Sequence, residues 1–199
     1  MCSSDLNVKA LELLSCFAVC RPLPEINLTL VDSGISYLDS MSLAMVRTLH
    51  LENSELCGQT FGETQKLVLR CPRLENLLLK NCYMRRRPFD VIDIEAANLK
   101  NLKFLNTAHK RSFRGELKVS APNLLCLSYR GPTLKGYSLQ NLSSLNKALI
   151  HFTNRVKYEE NGCLLLSLVS ALYNAEVLYL SSRFLQVYYN QFCILICFC

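Results

Sequence analysis

The sequence predicts an α/β solenoid, a chain wound into short stacked units with a parallel sheet along one side. Three observations carry this reading. The first is the phrase LENLLLKNC at residues 74–82, with leucines at 74, 77 and 79 and then Asn81, in the order L-x-x-L-x-L-x-N. The second is its recurrence: Val46, Leu49, Leu51 and Asn53 keep the spacing, as do Leu99, Leu102, Phe104 and Asn106, and Leu124, Leu127, Tyr129 and Gly131. The third is the beat, since Leu77, Leu102 and Leu127 stand 25 residues apart at each step.

Period and pattern are those of a leucine-rich repeat. The middle L-x-L alternates with period two, so both side chains point to one side of a short strand. An asparagine at the following turn suits exposed backbone groups. One unit cannot bury its apolar face alone, but stacked units can. The expected form is ribonuclease-inhibitor-like: a curved parallel sheet on the concave side, with short helices and strands on the convex side.

Taken in order, the chain enters repeat spacing at Val8, Leu11 and Leu13, followed by Ser15 and Cys16. Arg21-Pro22-Leu23-Pro24 forces an extended turn, after which Ile26, Leu28 and Leu30 alternate as a strand closed by Asp32-Ser33-Gly34. Residues 46–55 form the next strand. Residues 62–71 (GETQKLVLRC) read as a short convex helix stopped by Pro72, and residues 81–90 as a loop holding three arginines at 85–87. Thereafter the return segments 91–94 and 116–119 read as strands, each followed by a matched turn, Ala96-Ala97-Asn98-Leu99 and Ser120-Ala121-Pro122-Asn123-Leu124. Leu142, Leu145, Ala148, Ile150 and Phe152 continue the beat less regularly, residues 154–161 read as a polar loop, residues 162–171 as an apolar helix, and Val177, Leu178 and Leu180 as the last strand. With Leu28, Leu49, Leu77, Leu102, Leu127, Ala148 and Leu178 as anchors, the chain holds about seven or eight units. The repeats are expected over residues 1–187. Residues 188–199, ending FCILICFC, form a divergent apolar tail too short to cross a bilayer, so no membrane span is expected.

Charge and cysteine usage bound the function. Charged residues make up 19% of the 199, below the usual share, which suits an interior-rich stack. The net charge of +6 is carried by residues 80–118, where ten basic residues face four acids. A solvated face is the plain reading of that segment; an acidic protein segment, nucleic acid or another polyanion are the binding ones. Eleven cysteines with no C-x-x-C pair, behind a start that lacks a secretory signal, read as reduced, mostly buried thiols of a cytoplasmic or nuclear protein. The two sequons, at Asn27 and Asn141, are then idle.

Enzyme chemistry finds no support. His50, His109 and His151 are far apart in sequence, there is no G-x-S-x-G elbow, and Gly58 and Gly62 lack the lysine of a phosphate loop. No cofactor or metal is expected, because no Cys/His pairs stand at ligand spacing. Binding is the better question, and the repeat says where. In each x-L-x-L-x strand the x positions face outward. They form one column of His50, Leu78, Lys103, Ser128, Leu149 and Tyr179, and a second of Glu52, Lys80, Leu105, Arg130, His151 and Ser181. Leucines and a tyrosine among basic residues make a surface able to hold a protein or peptide.

The phrases CPRLENLLLKNC (71–82), IEAANLKNLKF (94–104), VSAPNLLCLSYRG (119–131) and LLLSLVSALYNAEVLYLS (164–181), with LHLEN (49–53) and YSLQNLSSLNKALIHF (137–152), resemble the leucine-rich region of plant F-box/leucine-rich-repeat proteins. The resemblance covers roughly residues 8 to 187. It implies a protein that holds a target for ubiquitination as a substrate receptor of a cullin-based ligase. In that family an N-terminal F-box, a small helical module, docks on the adaptor. This sequence enters repeat pattern by Val8, so the expectation is a repeat region that binds a protein target and, without an F-box, not the ligase adaptor.

Overall fold

The computed structural model describes residues 26–31, 34–35, 46–56, 59–61, 64–83, 90–106, 113–154 and 158–186. In chain order the elements are β1 (Ile26–Val31), β2 (Gly34–Ile35), β3 (Val46–Glu52), β4 (Glu55–Leu56), β5 (Gln59–Phe61), β6 (Thr64–Arg70), β7 (Asn76–Lys80), β8 (Val91–Glu95), β9 (Asn101–Leu105), β10 (Glu116–Ser120), β11 (Cys126–Gly131), β12 (Gly136–Gln140), β13 (Lys147–Phe152), α1 (Tyr158–Ala171) and β14 (Val177–Leu180). A front sheet of seven strands runs β1-β3-β7-β9-β11-β13-β14, and a back sheet of five runs β12-β10-β8-β6-β5. Every front pairing is parallel.

The register of the front sheet is the repeat spacing made physical. Leu28 pairs with Leu49, Leu49 with Leu77, Leu77 with Leu102, Leu102 with Leu127, Leu127 with Ala148, and Ala148 with Leu178. All seven anchors fall on one line across the sheet. From Leu49 to Ala148 they are buried, as are Leu51, Leu79, Phe104, Tyr129 and Ile150 two residues on. Leu67, Leu69, Ile92, Ile94, Leu117 and Val119 of the back sheet enter the same core. Each such side chain contributes roughly 1.5–3 kcal/mol by leaving water. In the later repeats the core turns aromatic: Phe104 stacks on Tyr129 with ring centroids 5.5 Å apart, and Phe152 on Phe184 at the same distance.

The corners repeat as strictly as the strands. Leu74, Leu99 and Leu124 each donate a backbone N–H three residues back, to Cys71, Ala96 and Ala121, at 3.1 Å. Asn98 Nδ2 reaches the Pro72 carbonyl of the preceding repeat at 2.6 Å, and Asn123 Nδ2 the Ala97 carbonyl at 2.9 Å. At the opposite end of the front strands, Asn53 and Asn81 sit in the left-handed region, at φ 48° and 51°, which asparagine tolerates better than most residues. Their backbone N–H groups, and that of Asn106, donate to the next strand at Lys80, Leu105 and Arg130.

Three expectations need correction. In place of the convex helix expected over 62–71, the described residues 64–70 are strand β6, parallel to β8 through Leu67↔Ile92 and Leu69↔Ile94, with β5 folded back beside it. The period-two burial of Leu67 and Leu69 prevails over the helix-forming Gln65, Lys66 and Leu67, because the exposed edge of β8 supplies backbone partners. The polar loop at 154–161 ends earlier than expected, since α1 already begins at Tyr158. Leu178, expected in the core, is 40% exposed, because among the described strands β14 is the outermost of the sheet and pairs with β13 alone. A back strand not foreseen, β12, alternates Tyr137 and Leu139 against the core. Beside β12 the back wall changes to helix α1, whose Leu165 and Leu168 are buried, with Leu172 buried in the turn just past its end. The repeat spacing at 8–16 and the tail at 188–199 lie outside the described residues.

Candidate functional site

Alternation along the front strands turns one side chain in two away from the core, and the register aligns those side chains between repeats. His50, Leu78, Lys103, Ser128, Leu149 and Tyr179 pair in sequence across β3, β7, β9, β11, β13 and β14. Glu52, Lys80, Leu105, Arg130 and His151 form the adjoining row. The expected outward residues therefore come together on one face. Lys103 and Arg130 are exposed, Tyr179 is 53% exposed, and Leu78, Leu105 and Leu149 are half-buried between them. Sequence reading missed a third row, one step earlier on each strand: Thr48, Asn76, Asn101, Cys126, Lys147 and Val177. The same alternation carried two residues toward the N-terminus would have found it.

The two halves of this face differ electrostatically. On β3 and β7 the charges are matched. Lys80 Nζ lies 2.7 Å from Glu52 Oε1, and His50 Nε2 lies 3.6 Å from Glu52 Oε2, too far for a hydrogen bond. The Lys80 ammonium bonded to Glu52 holds that carboxyl below its usual range. At the sheet margin Glu75 takes Lys100 at 2.8 Å and Arg47 at 3.5 Å, and the Lys100 contact lowers its carboxyl in the same way. A side-chain ladder, Asn101 to Asn76 at 2.8 Å and Asn76 to Thr48 at 3.2 Å, ties these strands together. On β9, β11, β13 and β14 the outward positions hold no carboxylate. Lys147 Nζ stands 5.1 Å from the centre of the Tyr179 ring, a cation–π contact.

The basic segment 80–118 is not gathered into one patch among the described residues. Lys80 and Lys103 face outward from the front sheet, Lys100 is paired at its margin, and Lys118 stands on the back sheet 3.5 Å from Glu116. An open groove of about 670 Å³ lies over the back sheet, lined by Arg70, Asp93, Glu95, Lys118, Ser120 and Gln140 among others. Its carboxylates are neutralised within the sheet, Asp93 by Lys66 at 2.6 Å and Glu95 by Arg70 at 2.8 Å. Among the described residues no three His, Cys, Asp or Glu side chains converge as a metal site. Cys71, Cys82, Cys126 and Cys163 are free. Burial pushes the Cys71 thiol up to about 12 and Cys82 to about 11, the reverse of an activated nucleophile. No helix among the described residues is long and apolar enough to cross a membrane.

A parallel front sheet, turns repeated at each corner and a core of aligned leucines define a leucine-rich-repeat solenoid. Comparison with known proteins narrows this. The chain is 32% identical over 158 residues to an Arabidopsis thaliana protein named for an F-box and LRR repeats, covering 73% of this chain and 33% of that protein. It is 32% identical over 146 residues to a second, named as an F-box protein, covering 72% and 30%. A third, named as an F-box/LRR-repeat protein, is 28% identical over 165 residues, covering 78% and 34%. No family model matches, and no solved structure does. The chain is thus a repeat protein similar to plant F-box/LRR-repeat proteins, and it spans about a third of the length of the curated relatives it matches.

Proposed function

We propose that this chain is a target-holding repeat module of an F-box type of ubiquitin-ligase receptor, and that the outward face of its front sheet grips a protein. The observation that carries the reading is the alignment of outward side chains in three continuous rows, with Leu105, Leu149 and Tyr179 lying among charged groups. Partly exposed aliphatic and aromatic anchors ringed by polar groups are what protein interfaces use. In this reading the repeats select the target, and ligase recruitment falls to an F-box module rather than to the repeats.

The test is affinity capture from a plant extract with the chain, read by mass spectrometry for targets and for cullin and adaptor subunits. Leu149→Ala with Tyr179→Ala should lose the captured targets while the far-ultraviolet circular dichroism stays unchanged, and Lys118→Glu on the back sheet should keep them. A double variant that captures the same proteins as the parent chain would overturn the proposal.

A further inference from the structure

Resting on that reading of the front face, we infer that its C-terminal half, over β9, β11, β13 and β14, takes an acidic peptide segment of the target, with an apolar or aromatic side chain seated beside Tyr179. The two halves of one sheet contrast. On β3 and β7 every outward or marginal carboxylate is spent on a neighbouring cation: Glu52 on Lys80, and Glu75 on Lys100 and Arg47. From β9 onward the outward rows present Lys103, Arg130 and Lys147 with no carboxylate among them. The carboxylate at the margin of this half, Glu176, accepts from Asn146 Nδ2 at 2.6 Å.

Geometry makes this a site rather than scattered charge. Adjacent strands lie about 4.8 Å apart, and successive outward positions about 6.8 Å apart along a strand. Lys103 and Arg130 are one strand and one row apart, with Leu105 level with Arg130 and His151 on its other side. Lys147 and Tyr179 flank Leu149 across β13 and β14. On these spacings Lys103 and Arg130 are about 8 Å apart, about one Debye length in physiological salt, so their fields add, while Lys147 stands about 12 Å from Lys103 at the far side of Leu149. Cations whose charge the sheet leaves unneutralised, alternating with partly exposed leucines and a tyrosine, complement a segment that is both acidic and apolar. A duplex or single-stranded nucleic acid would need an extended basic track, and Glu52 and Glu75 interrupt the face on its other half.

The test is fluorescence anisotropy with the whole chain and three probes: a labelled peptide of Asp and Glu around one central Phe, its Asn/Gln counterpart, and a labelled oligouridylate. The acidic peptide should bind at least about tenfold more tightly than its neutral counterpart, with affinity falling as salt rises. Lys103→Glu with Arg130→Glu should remove that preference, whereas Lys118→Glu should leave it intact. Equal affinity for the two peptides, or indifference to the Lys103/Arg130 reversal, would refute the inference. Tighter binding of oligouridylate with the same sensitivity would replace it with a nucleic-acid site. If Leu149→Ala with Tyr179→Ala abolishes target capture while the charge reversal does not, this inference fails and the protein-binding face stands. If neither pair matters, both readings fall.

Discussion

Leu102→Ala tests the register on which the binding face rests. Leu102 is 0% exposed and lies level with Leu77 and Leu127, themselves buried, on hydrogen-bonded strands to either side. Those strands cannot close on the space that truncation leaves, so the loss is the transfer energy of the removed atoms plus the cavity. Buried leucine truncations cost about 2–5 kcal/mol. For a chain of this size that corresponds to a melting temperature lower by roughly 4–20 °C. In a stacked array the damage falls on the interfaces to both neighbouring repeats. The comparator is the next residue: Lys103 points outward and is exposed, so Lys103→Ala should stay within about 0.5 kcal/mol of the parent. Urea unfolding followed by circular dichroism reads both. Should Lys103→Ala cost more than Leu102→Ala, the strand register would be displaced by one, and every outward assignment would invert.

Two further outcomes follow from particular groups. The Cys71 and Cys82 thiols, raised to about 12 and about 11 from an ordinary 9.0, keep their protons in the folded chain at pH values where the unfolded chain has lost them. Their contribution is complete below pH 9 and declines as pH rises toward 11, together by roughly 3 kcal/mol per pH unit. Stability measured between pH 9 and 11 should therefore fall less steeply by about that slope in the Cys71→Ala, Cys82→Ala variant, and equal slopes would contradict the burial. A methyl added at Gly131 would stand 3.1 Å from the Tyr129 hydroxyl and 3.3 Å from the Asn106 carbonyl oxygen, and that hydroxyl is itself bonded to the Pro132 carbonyl. Gly131→Ala should cost about 1–3 kcal/mol in a thermal melt, part of it recovered when Tyr129→Phe is added.

Much of the solenoid was legible because its information is local. The L-x-L pairs, the asparagines at 53, 81 and 106, and the matched corners at 96–99 and 121–124 each specify a strand or turn within a few residues. Stacking then only aligns what every unit already prefers. The back wall was less legible. Residues 64–70 carry helix-forming side chains and an alternation too brief to settle the matter, and the partner β8 lies more than twenty residues away in sequence. β12 was hidden for the same reason: Tyr137 and Leu139 read as inward only once β10 stands beside them.

The candidate face divides along the same line. Sequence alone determined which residues point outward, because period two is a property of a single strand. It also placed Lys103, Arg130 and Tyr179 among them. Only the tertiary structure decided which charges meet. Glu52 and Lys80 are 28 residues apart, and so are Arg47 and Glu75, while Lys100 reaches Glu75 across 25. A net charge of +6 counted along residues 80–118 reads as one basic patch. Folded, Lys118 turns to the back sheet and Lys80 and Lys100 are neutralised, while Lys147, outside that stretch, joins Lys103 and Arg130 on the front. The reason is physical: side-chain direction follows from the local backbone, whereas Coulomb energy depends on distance in space, which stacking sets one repeat at a time.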